Sequence, residues 1–194
     1  MTELDLRTQI VDAAAKRFSQ YGYGKTTMVE IASDCDMSAA NLYRYYKNKL
    51  DIGAAMASLF FNEEYLHLQK IVVRDNLSFA EKLEKFTLHS LHHCHQHFTT
   101  SPRIIELVEV MSVKKRCVCD EHQQNKMTLL KNMLEQAQQS HHYQVDDVEA
   151  TATAIHMATL VFNMPMMMPH YSLAELEKRA ITLCSMIVAG LKKH

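Results

Sequence analysis

Residues 27–46 read "TMVEIASDCDMSAANLYRYY", and the fold is decided by this stretch. Thr27 and Glu30 stand three residues apart, the capping-box spacing in which side chain and backbone satisfy each other's N–H groups at a helix start. Met28, Ile31, Ala32 and Cys35 then share one face of a short helix. "CDMS" is a tight turn, after which Ser38 caps a second short helix that buries Leu42. Ala32 is small enough to let the two helices cross closely, as a helix-turn-helix requires.

The second helix projects Ala39, Ala40, Asn41, Tyr43, Arg44 and Tyr45 outward, while Tyr46 belongs to the core. In such motifs the start of the second helix reads base edges in the major groove. Ala39 and Ala40 permit close approach, Asn41 and Arg44 offer hydrogen bonds to bases, and Tyr43, Lys47 and Lys49 suit phosphates. The formal net charge of -1 gives no global argument for nucleic acid. Its distribution does: Lys25, Arg44, Lys47 and Lys49 cluster, with no acid between Asp36 and Asp51.

These residues resemble the TetR/AcrR-type bacterial repressors. The pattern is carried by Thr26, Thr27, Ile31, Ala32, Ser38, Leu42, Tyr43, Tyr45, Tyr46 and Lys49, and the likeness is specific over residues 6–53. The resemblance implies a homodimer with two heads on a double-stranded DNA operator and a ligand pocket in each body. It also implies that Thr26 and Thr27 contact DNA, and that Thr27 and Lys49 sit at helix N-termini facing phosphate. The family usually has glycine where this chain has Asp36, and often a second where it has Ala40. Asp tolerates a left-handed turn better than most residues, and Ala40 stiffens the reading helix.

Only 4 Gly and 3 Pro punctuate the 194 residues, and no alternating strand pattern stands out, so an all-α fold is expected. Its helices are expected over 4–21, 27–35, 38–45, 49–74, 78–99, 102–114, 118–140, 147–163 and 173–192. "SFAE" from Ser78 and "SLAE" from Ser172 repeat the capping box, and Ser101 before proline caps another start. Short helices precede residue 49 and long ones follow. A small three-helix DNA-binding head over 1–48 and a larger helical ligand-binding and dimerisation body over 49–194 are therefore expected. The first residues lack the order of a signal peptide and no apolar stretch reaches a membrane span, which points to a cytoplasmic protein. Five cysteines at irregular positions fit reduced thiols.

The body offers candidates for a pocket. Five of the 12 histidines lie in "HSLHHCHQH", where His93 and His97, one turn apart, are expected to point inward and His89 and His92 outward. The pair has metal-ligand spacing, but no third ligand is identifiable in the sequence, so no metal site is assigned. Cys117 and Cys119 point roughly 200° apart on a helix and cannot chelate jointly. "MATLVFNMPMMMPHY" is dense in methionine, whose flexible side chains suit an apolar pocket, a dimer contact or ordinary core. Candidate lining residues are Phe60, Phe61, Tyr65, Phe86, His89, His93, His97, Met111, His156, Phe162 and Met164. The last helix has a broad apolar face. With helix 147–163 it resembles the family's dimer seam. No nucleophile elbow, phosphate loop or carboxylate pair appears, so no catalytic residue and no cofactor is assigned. The expected function is a DNA-binding regulator, most simply a repressor released by a small apolar or amphipathic molecule. A metal- or redox-responsive regulator and a metal-dependent enzyme are the alternatives.

Overall fold

A computed structural model describes residues 2–99 and 102–193. Its order is α1 (Glu3–Tyr21), α2 (Met28–Asp34), α3 (Ala39–Tyr45), α4 (Lys49–Val72), α5 (Phe79–Thr99), α6 (Ile105–Lys114), α7 (Arg116–Gln139), α8 (Val148–Thr159) and α9 (Leu173–Leu191). Short 3-10 segments occupy Pro102–Ile104, Leu160–Asn163 and Pro165–His170. The fold is all-α, with no strand among the described residues. None of the described helices is long and apolar enough to cross a membrane.

The expected caps form. Thr27 and Glu30 exchange both capping-box bonds, as do Ser172 and Glu175. The Ser78 hydroxyl likewise accepts from the Glu81 amide while Glu81 accepts from the Ser78 amide. Ser38 caps α3 by accepting from the Asn41 amide at 3.2 Å. Two caps were not anticipated. Thr2 and Asp5 box the start of α1, and Asn48 Oδ1 accepts from the Asp51 amide at the start of α4. The expected Ser101 cap lies outside the described residues.

The chain folds as two compact units, residues 1–61 with 100–120 and residues 62–99 with 121–194. This division differs from a cut at 48/49, because α4 contributes residues to both units and α6 packs with the first. In the first unit Ile10, Val11, Ala14 and Phe18 of α1 are buried, together with Ile31, Ala32, Leu42 and Tyr46. Leu6, one turn before Ile10, is only half-buried, since the buried face runs through Val11. Arg17 bridges α1 to α2 through Asp34 and Glu30. A Cβ on Gly53 would stand 2.7 Å from Leu107 Cδ1, so α4 and α6 approach closely there and a larger residue would have to displace the Leu107 side chain.

The second unit is built on Leu68 and Val72 of α4, Leu83 and Phe86 of α5, a stripe of α7 (Leu130, Met133, Leu134) and Cys184 and Val188 of α9. A second cluster joins Leu91 and Cys94 to Phe162, Met168, Leu176 and Ala180. The methionine-rich segment therefore splits. Met168 is buried, whereas Met157, Met164 and Met166 are exposed. The end of α9 is pinned to the α7–α8 loop by the Gln144 amide, which donates to the Leu191 carbonyl at 2.8 Å.

Candidate nucleic-acid interface and body site

The turn between α2 and α3 sets the geometry of the reading helix. Asp36 has φ 54°, in the left-handed region. Its amide donates to the Ser33 carbonyl at 3.1 Å and the Met37 amide to the Ala32 carbonyl at 3.0 Å. This pair of bonds is the Schellman termination, in which two orphan carbonyls of the helix end are satisfied. Leu42, fully buried, anchors α3 from beneath. Ala40, Tyr43 and Arg44 are left exposed and Ala39 and Asn41 half-exposed, with Lys47 exposed just beyond the helix. Tyr45 is half-buried, its carbonyl accepting from Arg7 Nη1 at 3.0 Å.

Two residues expected at DNA are placed differently. Thr26 is 2% exposed, and its hydroxyl donates to the Gly22 carbonyl, so it closes the α1–α2 turn. Lys49 Nζ donates to the carbonyls of Tyr23 and Thr26, the latter at 2.7 Å, and lies over the Tyr23 ring. Burial lowers the pKa of this ammonium, opposed by Glu106 and Glu30. A charge surrounded by nearby carbonyls gains from them what an exposed lysine would gain from phosphate. The Thr27 hydroxyl is exposed but committed to Glu30.

In the body, the candidate lining residues are not brought to one place. Phe60, Phe61 and Met111 belong to the first unit; the others belong to the second. Phe86 and His156 do meet, with Ser90, Lys126, Leu160 and Asn163, around an enclosed void of about 10 Å³, the space of one water. Tyr65 packs against the larger core cluster, Phe162 is buried in the smaller one and Met164 is exposed. A groove of about 620 Å³ lies elsewhere, lined by Phe79, Lys82, Met133, Gln136, Tyr143 and Lys192 among others. None of the expected lining residues borders it.

Beside the small void lies a buried ionic cluster that the sequence did not announce. Lys126 Nζ donates to Glu64 Oε1 and Ser90 Oγ, both at 2.8 Å, and His122 Nε2 lies 2.9 Å from Glu64 Oε2. Glu64, His122 and Lys126 are all buried. Burial by itself would raise the Glu64 carboxyl, but Lys126 and His122 hold it well below the usual carboxylate range.

The histidine helix also departs from expectation. His93 is buried, but His97 is exposed. His89 is half-buried, stacks on His67 with ring centroids 4.8 Å apart, and is pushed down to about 4 by burial and by His67 and His93. His92 faces solvent as expected and meets Glu177 at 2.6 Å. Cys117 is exposed, and burial pushes the Cys94 thiol up to about 12.

Comparison with known proteins decides the family. The family described as "Bacterial regulatory proteins, tetR family" matches residues 10–56, and "Tetracyclin repressor-like, C-terminal domain" matches residues 80–184. The chain belongs to the TetR family. It is a helix-turn-helix, DNA-binding transcriptional regulator. The HTH-type transcriptional regulator HbdR of Aromatoleum sp. (strain CIB) is 44% identical over 46 residues, 24% of this chain. The match spans only 20% of that relative's length. Among solved structures, SmeT, repressor of the Stenotrophomonas maltophilia multidrug efflux pump SmeDEF, superposes with a TM-score of 0.71 at 19% identity. The overlap covers 96% of this chain and 90% of that one. The fatty acid degradation regulator FadR from Bacillus halodurans gives 0.68 at 17% identity, covering 92% and 93%. At such identities these two likenesses concern the fold.

Proposed function

We propose that this TetR-family regulator is a homodimeric repressor that reads its operator with α3 and is released by a small apolar or amphipathic molecule. The observation that carries the DNA-reading half is the surface of α3. Small Ala39 and Ala40 stand beside the hydrogen-bonding Asn41 and Arg44, on a helix fixed from beneath by buried Leu42. DNA reading is assigned to residues 1–48 and ligand binding and dimerisation to 49–194, a division supported by the family matches at 10–56 and 80–184. Tyr43, Arg44 and Lys47 carry the assignment to phosphate and base. The hydroxyl of Thr26 and the ammonium of Lys49 serve the turn.

For dimerisation the support is apolar surface on the last two helices, where Met157 of α8 and Met186 of α9 are 63% and 67% exposed. For the ligand it is the mixed lining of the groove of about 620 Å³, apolar at Phe79 and Met133 and polar at Lys82, Gln136 and Lys192. An amphipathic ligand suits that mixture, and the regulation of fatty acid degradation and drug efflux by the two structural neighbours is in keeping with it. Coupling would then be a difference in DNA affinity between ligand-bound and ligand-free dimers.

Selection of bound sequences from random DNA, followed by gel-shift titration at fixed salt, tests the reading. Arg44→Ala should cost about 1–3 kcal/mol and relax preference at one base position. Lys47→Ala should weaken binding to all sequences and lower the salt slope by about 1. Unchanged affinity and preference in both variants would refute it.

A further inference from the structure

On the side of the body where α4 faces α5 lies a cluster of side chains to which the DNA-reading role gives no task. Glu63 of α4 and His93 and His97 of α5 bring three ligand atoms, one from each side chain, within 4.8 Å of one another. We propose that Glu63, His93 and His97 form a binding site for a zinc-class divalent transition-metal ion.

Three features carry this. Around a tetrahedral ion with bonds of about 2.0–2.1 Å, neighbouring ligand atoms stand roughly 3.4 Å apart. Side-chain rotations moving each atom by about 1 Å close the set without moving a helix. Glu63 and His97 are exposed, so rotamer freedom is available to both. Next, the His97 ring is oriented. Its Nδ1 lies 2.8 Å from the His93 carbonyl, which only accepts, so Nδ1 carries the hydrogen and the neutral ring has its lone pair on Nε2. A ligating histidine whose other nitrogen donates to a backbone carbonyl is the common outer-sphere arrangement of metal sites. Finally, the donor set is selective. Two imidazoles and one carboxylate suit zinc, cobalt, nickel or iron, whereas magnesium and calcium require oxygen ligands.

The stack of rings beside the site supplies the competing account. His67 stacks on His89 and His89 on His93 at 6.0 Å between centroids, while the His97 ring lies tilted against His93 at 4.6 Å. A column of imidazoles held by packing alone would have no use for Glu63. With three protein ligands the ion would keep an open position for water or an exogenous ligand, and it would tie α4 to α5 within the body. This inference does not depend on DNA reading, and its test does not use DNA.

Full-length protein without an affinity tag, stripped with chelator, is titrated with Co²⁺ and followed by its visible ligand-field absorbance, then back-titrated with Zn²⁺. One ion per chain is expected, with intense low-symmetry bands that Zn²⁺ abolishes. His97→Ala should remove the bands and Glu63→Gln should weaken Co²⁺ binding at least ten-fold. His141→Ala with His142→Ala, an exposed pair elsewhere, should change neither. Both ligand substitutions fall on exposed side chains, and circular dichroism confirms that each variant is folded. The proposal is overturned if only the weak hexaaqua spectrum appears. Unchanged affinity in Glu63→Gln would overturn it too, as would loss of binding in His67→Ala while Glu63→Gln retains it.

Discussion

Arg17 in the DNA-reading unit and Lys126 in the body both hold a carboxylate, in opposite surroundings. Arg17 reaches Asp34 and Glu30, carboxylates 39% and 44% exposed, at 2.5 and 3.3 Å. Lys126 meets Glu64 at 2.8 Å with the two side chains 5% and 2% exposed. The first pair stays near water, gives up little hydration and is screened by salt. The second has lost its hydration and is stable only because Ser90 and His122 complete its hydrogen bonding. The head thus fastens its helices with surface charge, while the body keeps a closed ionic cluster at the edge of its small void.

Removing one partner in each place breaks or sharpens this contrast, and the body variant carries the largest expected effect. Lys126→Met leaves a buried carboxylate without its cation and should cost about 3–5 kcal/mol. Arg17→Met should cost about 1 kcal/mol or less. Urea midpoints measure both, and equal losses would erase the contrast. Replacing both partners, Glu64→Leu with Lys126→Met, should recover most of the loss, because no charge is then stranded. The same cluster fixes a pH dependence. Since the folded Glu64 carboxyl is depressed, its contribution is fully present above its unfolded value, about 4.3. It is lost as pH falls through the folded value. Wild type should therefore lose stability below about pH 4 more steeply than the double variant, as read by melting temperature against pH.

An intermediate effect is expected at Lys49, where the head also confines a cation. Lys49→Met removes charge-assisted bonds to the carbonyls of Tyr23 and Thr26 and should cost about 1.5–3 kcal/mol. The readout is thermal stability without DNA, beside Lys47→Ala, whose exposed ammonium should have no such effect. If Lys49→Met melts like wild type and only its DNA affinity falls, the phosphate role implied by family resemblance holds instead.

The head was legible because its determinants are local. Thr27 with Glu30, Ser38 with Asn41 and the left-handed Asp36 each act within three or four residues, a distance over which spacing dictates geometry. The contacts that Thr26 and Lys49 make within the head were not legible, for the complementary reason. Their partners, Gly22 and the Tyr23 carbonyl, are backbone groups, which carry no sequence signature. In the body the helices and the caps at Ser78 and Ser172 were readable, but side-chain chemistry was not. Glu64 meets Lys126 across 62 positions, and Glu63 reaches His93 across a change of helix. The spacing of His93 and His97 was visible; the carboxylate beside them becomes visible only once α4 lies along α5. Helical periodicity assigned burial to His97 and exposure to His89. The structure exposes the first and half-buries the second, because the stack on His67 draws the buried face toward α4.

The smallest expected effect tests the turn from which the fold was read. Asp36 occupies φ 54°, where an L-residue pays roughly 1–2 kcal/mol, less for Asp because its short polar side chain is tolerated there. Glycine removes that strain but adds about 0.5–1 kcal/mol of entropy to the unfolded chain. Asp36→Gly should therefore stabilise the head by a few tenths to about 1 kcal/mol, a rise of about 1–4 °C in melting temperature. The Schellman bonds from Asp36 and Met37 involve only backbone and would persist in the variant, leaving α3 in place and operator affinity at the wild-type level. A lower melting temperature would mean that the Asp36 side chain supports the turn by more than its backbone strain costs. The head would then, like the body, rely on a polar group whose contribution its sequence spacing does not reveal.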